Sequence, residues 1–503
     1  MDIIETIRKH AASDPDKTAF QFSGEGITYG QLWEKSGRLA NYLLQLKGLK
    51  EHQPVPVYGH KSALMPVCFL ACTRSGHPYV PIDTSTPEQR VSDILSSLES
   101  PVVLAPVALP VDVRQESLIG AEDLEKISED PALGQPDMKY RNLKDDIHYI
   151  IFTSGSTGKP KGVKITTSNL EAYLSWSVGL VDEKPGVFMN QAPFSFDLSV
   201  MDFYTGLATG STVACTDRAM VQDLSATLEF LGRQKPDYWV STPSFADLCL
   251  SEPSFSGRAL PSMKKFLFCG EPLRKQTASR LMERFPGAEV INTYGPTEAT
   301  VCVTGVTITE EMISAPGDLP VGRAKPGTEV FAGDVDGKPL PQGETGELII
   351  AGDTVSPGYF RDPGRTAEVF FTLDDGTPAY RTGDLGRVDE NGMVWCKGRM
   401  DGQVKFHGYR IELGDIEKNL TQLQDVENAA VFLKKNQGSG ESLAACVLQA
   451  PSVDTSYARR KWIRGALGQR LPQYMVPKRV IFFTDFPTTA NGKLDRKALG
   501  EMI

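Results

Sequence analysis

The 503-residue sequence contains no long hydrophobic run, and this absence restricts the classes of protein that fit it. No apolar stretch approaches the roughly 20 residues that a membrane-spanning helix needs, so direct insertion into a membrane is not expected. The first five residues, MDIIE, lack the basic start and the apolar stretch of a signal peptide. We therefore expect the protein to remain in the cytoplasm.

The sequence also lacks the features of a zinc site and of a nucleic-acid-binding surface. It has eight cysteines and six histidines, but no CxxC pair and no histidine at metal-ligand spacing from Cys68 and Cys72. Most cysteines lie in apolar contexts such as residues 67–69, and we expect them to be buried. A net charge of −10 repels phosphate backbones and anionic lipid, so neither is an expected partner.

Length and composition indicate a globular chain with two or more domains. The chain is too long for one ordinary core, and 40% of its residues are hydrophobic and 23% charged. Its first half alternates between helical and strand-like patterns. Thr28 is a candidate N-cap before a helical stripe at residues 29–46, and short apolar runs such as 148–152 and 265–268 precede polar segments. This alternation predicts α/β layers with a ligand site beyond the carboxyl ends of the strands.

The pattern changes from about residue 330 onward, where short strands are separated by turns. Residues 387–399 are typical of a hairpin that turns at residues 389–392. A domain boundary is expected near Asp401, where a strand pattern ends at a glycine. The sequence therefore predicts an α/β fold with a large multi-sheet N-terminal domain, residues 1–400, and a smaller α+β domain, residues 401–503.

The strongest local signal is the loop at residues 153–162, TSGSTGKPKG, which follows a strand pattern. Glycines let backbone N–H groups converge on an anion, hydroxyl groups add donors and lysines add positive charge. This is not a Walker A loop, because the spacing from glycine to lysine differs and a proline follows the first lysine. The residues expected to hold phosphate are Thr153, Ser154, Gly155, Ser156, Thr157, Gly158 and Lys159.

Further motifs follow the loop in a fixed order. They are YGPTE at 294–298, GEL at 346–348, YRTGD at 380–384, GRMD at 398–401, KFHGYRIEL at 405–413 and NGKLD at 491–495. This series resembles the adenylate-forming superfamily of acyl-CoA synthetases, luciferases and peptide-synthetase adenylation domains, over nearly the whole chain. The resemblance implies an enzyme that uses ATP and Mg²⁺ to convert a carboxylic acid into an acyl-adenylate.

The resemblance assigns nucleotide-site roles to particular residues. Lys493 carries a compact positive charge suited to bridging the acyl carboxylate and the α-phosphate, and it is the expected catalytic residue. Asp384 is expected to accept both ribose hydroxyls, and stabilisation of its turn is the alternative. Glu298 is the expected Mg²⁺ ligand, with helix capping as the alternative. The other expected nucleotide contacts are Asn292, Thr293, Tyr294, Gly295, Pro296, Thr297, Lys397, Gly398 and Arg399.

The resemblance also implies a change of domain orientation during the reaction. Asp401 corresponds to the hinge about which the small domain rotates between two half-reactions. One orientation would bring Lys493 to the adenylate. The other would withdraw it and open a channel past Gly408 for an incoming thiol.

The segment FSFDLS at residues 194–199 narrows the class of acid. In the amino-acid-activating branch an aspartate at the position of Asp197 pairs with the ammonium group of the substrate, and a partly buried carboxylate needs such a partner. The alternative is an aspartate that caps the following helix. A sulfur at Cys269 would leave room only for a small side chain beside the α-carbon. Met201 and Val301 are expected to line the same pocket.

Residues 190–202, 266–271 and 471–477 resemble the D-alanine-activating members of the superfamily in Gram-positive bacteria. This likeness implies D-alanine as the acid and the phosphopantetheine thiol of a D-alanyl carrier protein as the acceptor. The D-alanyl group would then esterify teichoic or lipoteichoic acid in the cell wall. Only ten residues follow Lys493, so we expect the carrier to act in trans.

Three other functions remain open at this point. A stand-alone adenylation enzyme for glycine or L-alanine has the same motifs, because spacing and composition carry no information on chirality. An acyl- or aryl-CoA ligase is disfavoured by Asp197. A non-catalytic nucleotide or amino-acid sensor is disfavoured by Lys493, since binding alone does not require that lysine.

Overall fold

The computed structural model describes residues 1–114, 117–153, 160–400, 403–406, 409–436, 440–488 and 494–503. It contains two compact units. The larger comprises Met1–Asp83, Leu98–Phe152 and Gly162–Met400, and the smaller consists mainly of the residues after Met400 together with Thr84–Ser97. The predicted boundary residue, Asp401, lies outside the described residues, so the hinge stays a prediction.

A 14-stranded sheet forms the main framework of the large unit. Thirteen of its strands follow one another in space in the order Thr328–Gly333, Gly346–Gly352, Pro378–Val388, Met393–Arg399, Gly322–Ala324, Thr304–Thr307, Glu289–Tyr294, Lys265–Phe268, Tyr238–Ser241, Val187–Asn190, Thr212–Cys215, Thr18–Gln21 and Gly26–Thr28. Phe370–Thr372 pairs beside Pro378–Val388. The hairpin predicted at residues 387–399 is confirmed, although its first strand begins earlier, at Pro378.

Six neighbouring strands of this sheet run parallel. Tyr238–Ser241 and Lys265–Phe268 are buried at every position, which is the pattern of strands covered on both faces. The strand Glu289–Tyr294 extends beyond the apolar pair Val290 and Ile291, because polar Asn292 and Thr293 continue it with hydrogen-bonded side chains. The carboxyl ends of parallel strands meet at one edge of a sheet, where ligand sites are expected.

A second sheet of six strands lies in the first third of the chain. Its spatial order is Leu118–Gly120, Val103–Ala105, Val55–Tyr58, Tyr79–Ile82, Ile147–Thr153 and Lys161–Thr166. Ile147–Thr153 is the strand that leads into the hydroxyl- and glycine-rich loop. The strand expected before that loop is therefore confirmed.

Helices cover the sheets, and their local sequences explain where they begin. Thr28 and Gln31 form a reciprocal capping box at the start of Tyr29–Gln45, and Leu32, Leu39 and Leu43 bury one face of that helix, as predicted. Leu198–Ala208 is buried along its whole length. The remaining helices between residues 1 and 400 are Ile3–Ser13, Leu64–Arg74, Glu88–Leu98, Ala121–Glu129, Thr167–Ser177, Arg218–Gln222, Leu224–Gln234, Pro243–Leu250, Lys275–Arg284, Glu310–Ser314 and Pro363–Val369.

The part of the small unit after residue 400 has the predicted α+β composition. Its strands are the antiparallel pair Gln403–Phe406 and Tyr409–Glu412, and the three-stranded sheet Asn428–Asn436, Gly440–Leu448 and Arg479–Phe483. Its helices are Leu413–Thr421, Tyr457–Gly468 and Arg496–Glu501. A separate core that includes Ile416, Val431 and Leu467 holds these elements together.

The cysteines behave as small hydrophobic residues, as expected. All eight are free thiols, and only Cys396 is more than slightly exposed. Within the described part of the chain, none of the helices combines the length and the apolar character required to cross a membrane.

Candidate active site

The candidate site is built on loops that follow three of the parallel strands. Asp197 lies in the segment after Val187–Asn190, Cys269 follows Lys265–Phe268 directly, and residues 295–301 follow Glu289–Tyr294. Phe268 pairs with Asn292 in the sheet, and the Thr293 hydroxyl donates a hydrogen bond of 2.8 Å to the Phe268 carbonyl oxygen. These three loops therefore lie at the carboxyl edge of the sheet, where the sequence predicts a ligand site.

Asp197 is half-buried at the start of the helix Leu198–Ala208. It has helical backbone angles and its side chain makes no capping hydrogen bond, so the helix-capping alternative does not describe it. Its Oδ2 atom accepts a hydrogen bond of 2.6 Å from the Thr297 hydroxyl. This bond connects the segment expected to bind the substrate amine with the segment expected to bind the nucleotide.

The segment that carries Asp197 is fixed at both ends by a buried polar network. The Lys61 ammonium group donates to the carbonyl oxygens of Asn190, Gln191 and Thr216 at 3.0, 2.7 and 2.8 Å. Burial lowers the pKa of Lys61 to about 8, so the group is still charged at neutral pH. The Asn190 side-chain amide donates to Asp202 at 2.7 Å, on the helix that follows Asp197.

The residues expected to line the substrate pocket belong to one continuous apolar cluster, which includes Met201, Cys269 and Val301. The Cys269 thiol donates to the Val301 carbonyl oxygen at 3.7 Å. Burial, and a hydrogen bond with Cys269, raise the pKa of the Cys302 thiol well above its ordinary value. The Cys302 thiol therefore stays neutral. The hydrogen bond from Cys269 to Val301 also shows that these two residues are in direct contact.

The turn that carries Val301 has an unusual backbone. Thr300 and Val301 have φ angles of +59° and +71°, in the left-handed region that β-branched residues rarely adopt. The Thr300 hydroxyl donates to the Thr354 carbonyl oxygen at 2.8 Å, and the Cys302 amide donates to the Thr300 carbonyl oxygen at 2.9 Å. Strained residues that are held in place by their surroundings are concentrated at functional sites.

Three of the expected nucleotide residues are in direct contact. The Asp384 carboxylate is almost fully buried and accepts hydrogen bonds from the Tyr294 hydroxyl at 2.6 Å and from the Arg399 guanidinium at 3.1 Å. Asp384 and Arg399 face each other on the paired strands Pro378–Val388 and Met393–Arg399. Because Asp384 lies within a strand, stabilisation of a turn does not explain why an aspartate is buried at this position.

The neighbouring segment 292–297 packs tightly against the protein. The Asn292 side-chain amide donates to the Pro320 carbonyl oxygen at 2.7 Å. A Cβ atom on Gly295 would lie 2.4 Å from the Cα atom of Cys302, so only glycine fits there. Pro296 then directs the chain into the short helical turn Thr297–Ala299.

Glu298 lies within that turn and is completely buried. Its carboxylate accepts a hydrogen bond of 2.9 Å from the Tyr359 hydroxyl. Among the described residues, no group of three or more His, Cys, Asp and Glu side chains is placed to hold a metal ion. A single carboxylate is nevertheless compatible with Mg²⁺ bound to a nucleotide, since phosphate oxygens and water then supply the other ligands.

Lys397 and Gly398 lie at an irregularity in the sheet. The register between Pro378–Val388 and Met393–Arg399 shifts at Leu385 and Gly386, and Gly398 has a φ angle of +121°. Lys397 is exposed, and its ammonium group donates to the Thr345 hydroxyl at 2.9 Å. Its expected role in binding the nucleotide stays a prediction.

Several expected site residues lie outside the described part of the chain. These are Ser154, Gly155, Ser156, Thr157, Gly158, Lys159, Asp401, Gly408 and Lys493. Thr153, the last residue of its strand, is described. Its hydroxyl oxygen is buried and has no hydrogen-bond partner among the described residues, which fits a group that awaits a ligand.

Sequence reasoning did not identify Lys61, Tyr173, Cys302 or Tyr359 as neighbours of the site. Burial and the nearby thiols of Cys302 and Cys269 raise the pKa of Tyr173 well above its ordinary value. Position in the sequence was a usable signal for Cys302, which directly follows Val301. The other three residues are distant in sequence from the motifs that they contact, and no local pattern distinguishes them.

Comparison with known proteins defines the class of protein to which this fold and site correspond. The family model described as AMP-binding enzyme matches residues 7–360, and that described as AMP-binding enzyme C-terminal domain matches residues 415–493. Together they cover most of the chain, including the loop at residues 153–162, the motifs at 294–298 and 346–348, and the first three residues of NGKLD. The class is therefore that of adenylate-forming enzymes, in agreement with the resemblance noted from the sequence.

Curated relatives identify the family more narrowly. The D-alanine--D-alanyl carrier protein ligase of Bacillus licheniformis is 42% identical, over 100% of both chains. The ligases of Listeria welshimeri and Lacticaseibacillus casei are 42% and 40% identical, and each alignment covers at least 98% of either chain. The chain belongs to the D-alanine--D-alanyl carrier protein ligase family.

Solved structures support the fold. An NRPS protein containing adenylation and PCP domains has a TM-score of 0.84 and 25% identity, over 100% of this chain and 84% of its own. The amide bond synthetase of Marinactinospora thermotolerans has a TM-score of 0.84 and 24% identity over 100% of both chains. The predicted fold class, a large α/β domain followed by a small α+β domain, is confirmed.

The Lys61 network makes a testable prediction about stability. Replacing Lys61 with Met leaves three carbonyl oxygens without their charged donor, so the free energy of unfolding should fall by about 2–3 kcal/mol. Urea denaturation measures this loss. Lys50, which is exposed, provides the matched control, and Lys50→Met should change stability by less than about 0.5 kcal/mol. Equal losses in both variants would contradict the proposed anchoring.

Proposed function

We propose that this protein activates D-alanine with ATP as D-alanyl-AMP and transfers the D-alanyl group to the phosphopantetheine thiol of a separate D-alanyl carrier protein. The relatives of this chain that are D-alanine--D-alanyl carrier protein ligases support the choice of acid and of acceptor protein. The observation that carries the proposal is the Asp197 carboxylate, which does not cap its helix and is oriented by Thr297. A substrate ammonium group would form a charge-assisted hydrogen bond with a carboxylate held in this position.

The chemistry consists of two group transfers. In the first, a carboxylate oxygen of D-alanine attacks the α-phosphorus of ATP, and the bond to pyrophosphate breaks. In the second, the thiol sulfur of the carrier attacks the activated carbonyl carbon, its proton is lost to solvent, and AMP leaves. The first transfer brings two anions together, so positive charge and hydrogen-bond donors must hold them in line.

Each of the residues proposed to bind the nucleotide would meet a different part of these requirements. Asp384, oriented by Tyr294 and Arg399, would accept the ribose hydroxyls. Thr153 and the loop after it would donate to phosphate oxygens. Glu298 would hold Mg²⁺, which would neutralise phosphate charge when bound. Lys493, in the motif NGKLD, would bridge the carboxylate and the α-phosphate before the thiol enters past Gly408.

The acid pocket is proposed to select a small side chain. Cys269 contacts Val301, whose backbone conformation is fixed by the bonds around Thr300, so this side of the pocket has little freedom to expand. A cytoplasmic location is part of the same proposal, because the reaction consumes ATP. Teichoic or lipoteichoic acid is the acceptor proposed for the carrier-bound D-alanyl group.

Pyrophosphate exchange tests the proposed function. D-alanine should drive exchange faster than L-alanine or glycine, and labelled D-alanine should then appear as a thioester on the carrier. Lys493→Ala should lower the exchange rate by about 100-fold or more, because it removes a charge that contacts the transition state. Lys497→Ala, an exposed lysine nearby, is the matched control and should retain activity. Faster exchange with L-alanine would reject D-alanine, and full activity of Lys493→Ala would reject the catalytic role.

The role of Cys269 is tested by changing its size. Cys269→Ala and Cys269→Gly enlarge the pocket beside the α-carbon, and the ratio of kcat/KM for D-alanine over L-alanine should fall about tenfold. Cys249→Ala is the control, since this buried thiol belongs to a different core cluster. Equal ratios in wild type and both Cys269 variants would show that Cys269 does not influence the preference for D-alanine over L-alanine.

A further inference from the structure

The small unit has a strongly basic stretch that the proposed chemistry does not use. Residues 455–484 contain seven Lys and Arg residues and no Asp or Glu, in a chain whose net charge is −10. The helix Tyr457–Gly468 lies within this stretch and carries four of the seven charges, namely Arg459, Arg460, Lys461 and Arg464. Such local inversion of the overall charge creates a positive field at one place on an acidic protein.

The helix has one buried face and one face covered by basic and aromatic side chains. Ile463 and Leu467 are fully buried in the core of the small unit. On the other side Tyr457 is 78% exposed and Trp462 is 44% exposed, with Lys461 and Arg464 also exposed. We call Tyr457, Lys461, Trp462 and Arg464, together with Arg459, the basic surface.

The tryptophan of the basic surface is held in place by an arginine. The Arg459 guanidinium carbon lies 4.4 Å from the ring centroid of Trp462, and the same guanidinium donates to the Gln424 carbonyl oxygen. Arg460 donates to the Val480 carbonyl oxygen at 3.1 Å and so ties the helix to the neighbouring strand. Rigid, exposed tryptophan, tyrosine and arginine side chains are the types that dominate binding energy at protein interfaces.

We propose that the basic surface is the place where the carrier protein docks through an acidic face. The proposal rests on the proposed function, which requires one macromolecular partner to present its thiol to the enzyme. Complementary charge steers such a partner from solution and raises its rate of association. An anionic membrane fits less well, because the large aliphatic side chains of this helix, Ile463 and Leu467, are buried and the exposed rings of Tyr457 and Trp462 are amphipathic.

The test uses the double variant Lys461→Glu/Arg464→Glu and the full-length enzyme. The binding partner is the fluorescently labelled, phosphopantetheinylated D-alanyl carrier protein of the same organism, and its Kd is measured by anisotropy. The Kd should rise about tenfold or more in the double variant. Raising the salt concentration should weaken carrier binding to wild type and affect the variant much less. Pyrophosphate exchange with D-alanine should stay within twofold of wild type.

Two further variants keep the outcome interpretable. Lys47→Glu/Lys50→Glu makes the same change in net charge at exposed positions of the large unit, and its carrier Kd should match wild type. Lys461→Gln/Arg464→Gln should give an intermediate Kd, and it replaces the charge-reversed variant if that one fails to fold.

The result that would overturn the proposal is an unchanged carrier Kd in the folded basic-surface variants. The proposal would also be overturned if these variants lose the binding of wild type to phosphatidylglycerol vesicles while their carrier Kd is unchanged. That result would favour a membrane contact. Anisotropy needs no turnover, so it tests docking separately from the reaction. Failure of wild type to exchange pyrophosphate with D-alanine would instead reject the proposed function.

Discussion

The hydrogen bond of 2.6 Å from Thr297 to Asp197 links the two parts of the candidate site. Thr297 belongs to the segment proposed for the nucleotide, and Asp197 belongs to the segment proposed for the amino acid. The hydroxyl donor orients the half-buried carboxylate, and in the proposed function an ammonium group bound there would form a charge-assisted hydrogen bond with it. Lys61 and Asn190 fix the chain on both sides of Asp197, and the position of the carboxylate therefore depends on a network that reaches into the core.

The other wall of the proposed pocket depends on backbone strain. Thr300 and Val301 adopt left-handed angles that cost free energy, and the bonds to Thr354 and within the turn hold them there. This geometry presents the Val301 carbonyl oxygen to the Cys269 thiol. The tight packing of Gly295 against Cys302 leaves the turn no room to relax toward Tyr294. In the proposed function, a rigid wall of this kind would select substrates by size, and Asp197 would select them by charge.

Much of the architecture was predictable because it depends on short-range patterns. The periodicity of residues 29–46 and the capping pair Thr28 and Gln31 suffice to define that helix. The pairing of Asp384 with Arg399 was not predictable, since register across a hairpin with a shifted ladder depends on the whole sheet. Nothing in the sequence indicates a left-handed Val301, because a β-branched residue normally argues against that conformation. Lys61 was missed for a related reason: a lone lysine normally lies in solvent, and its three acceptors come from distant segments.

The most direct measurement compares D-alanine with propionate, which lacks only the amino group, in wild type and Asp197→Asn. Asparagine keeps an oxygen that accepts the Thr297 hydrogen bond but removes the charge. The kcat/KM for adenylation of D-alanine should fall about 30- to 150-fold, as expected for the loss of a charged hydrogen bond, while that for propionate should be unchanged or rise. Retention of wild-type activity toward D-alanine, or an equal loss for both acids, would contradict the assignment of Asp197 as the residue that binds the substrate ammonium group.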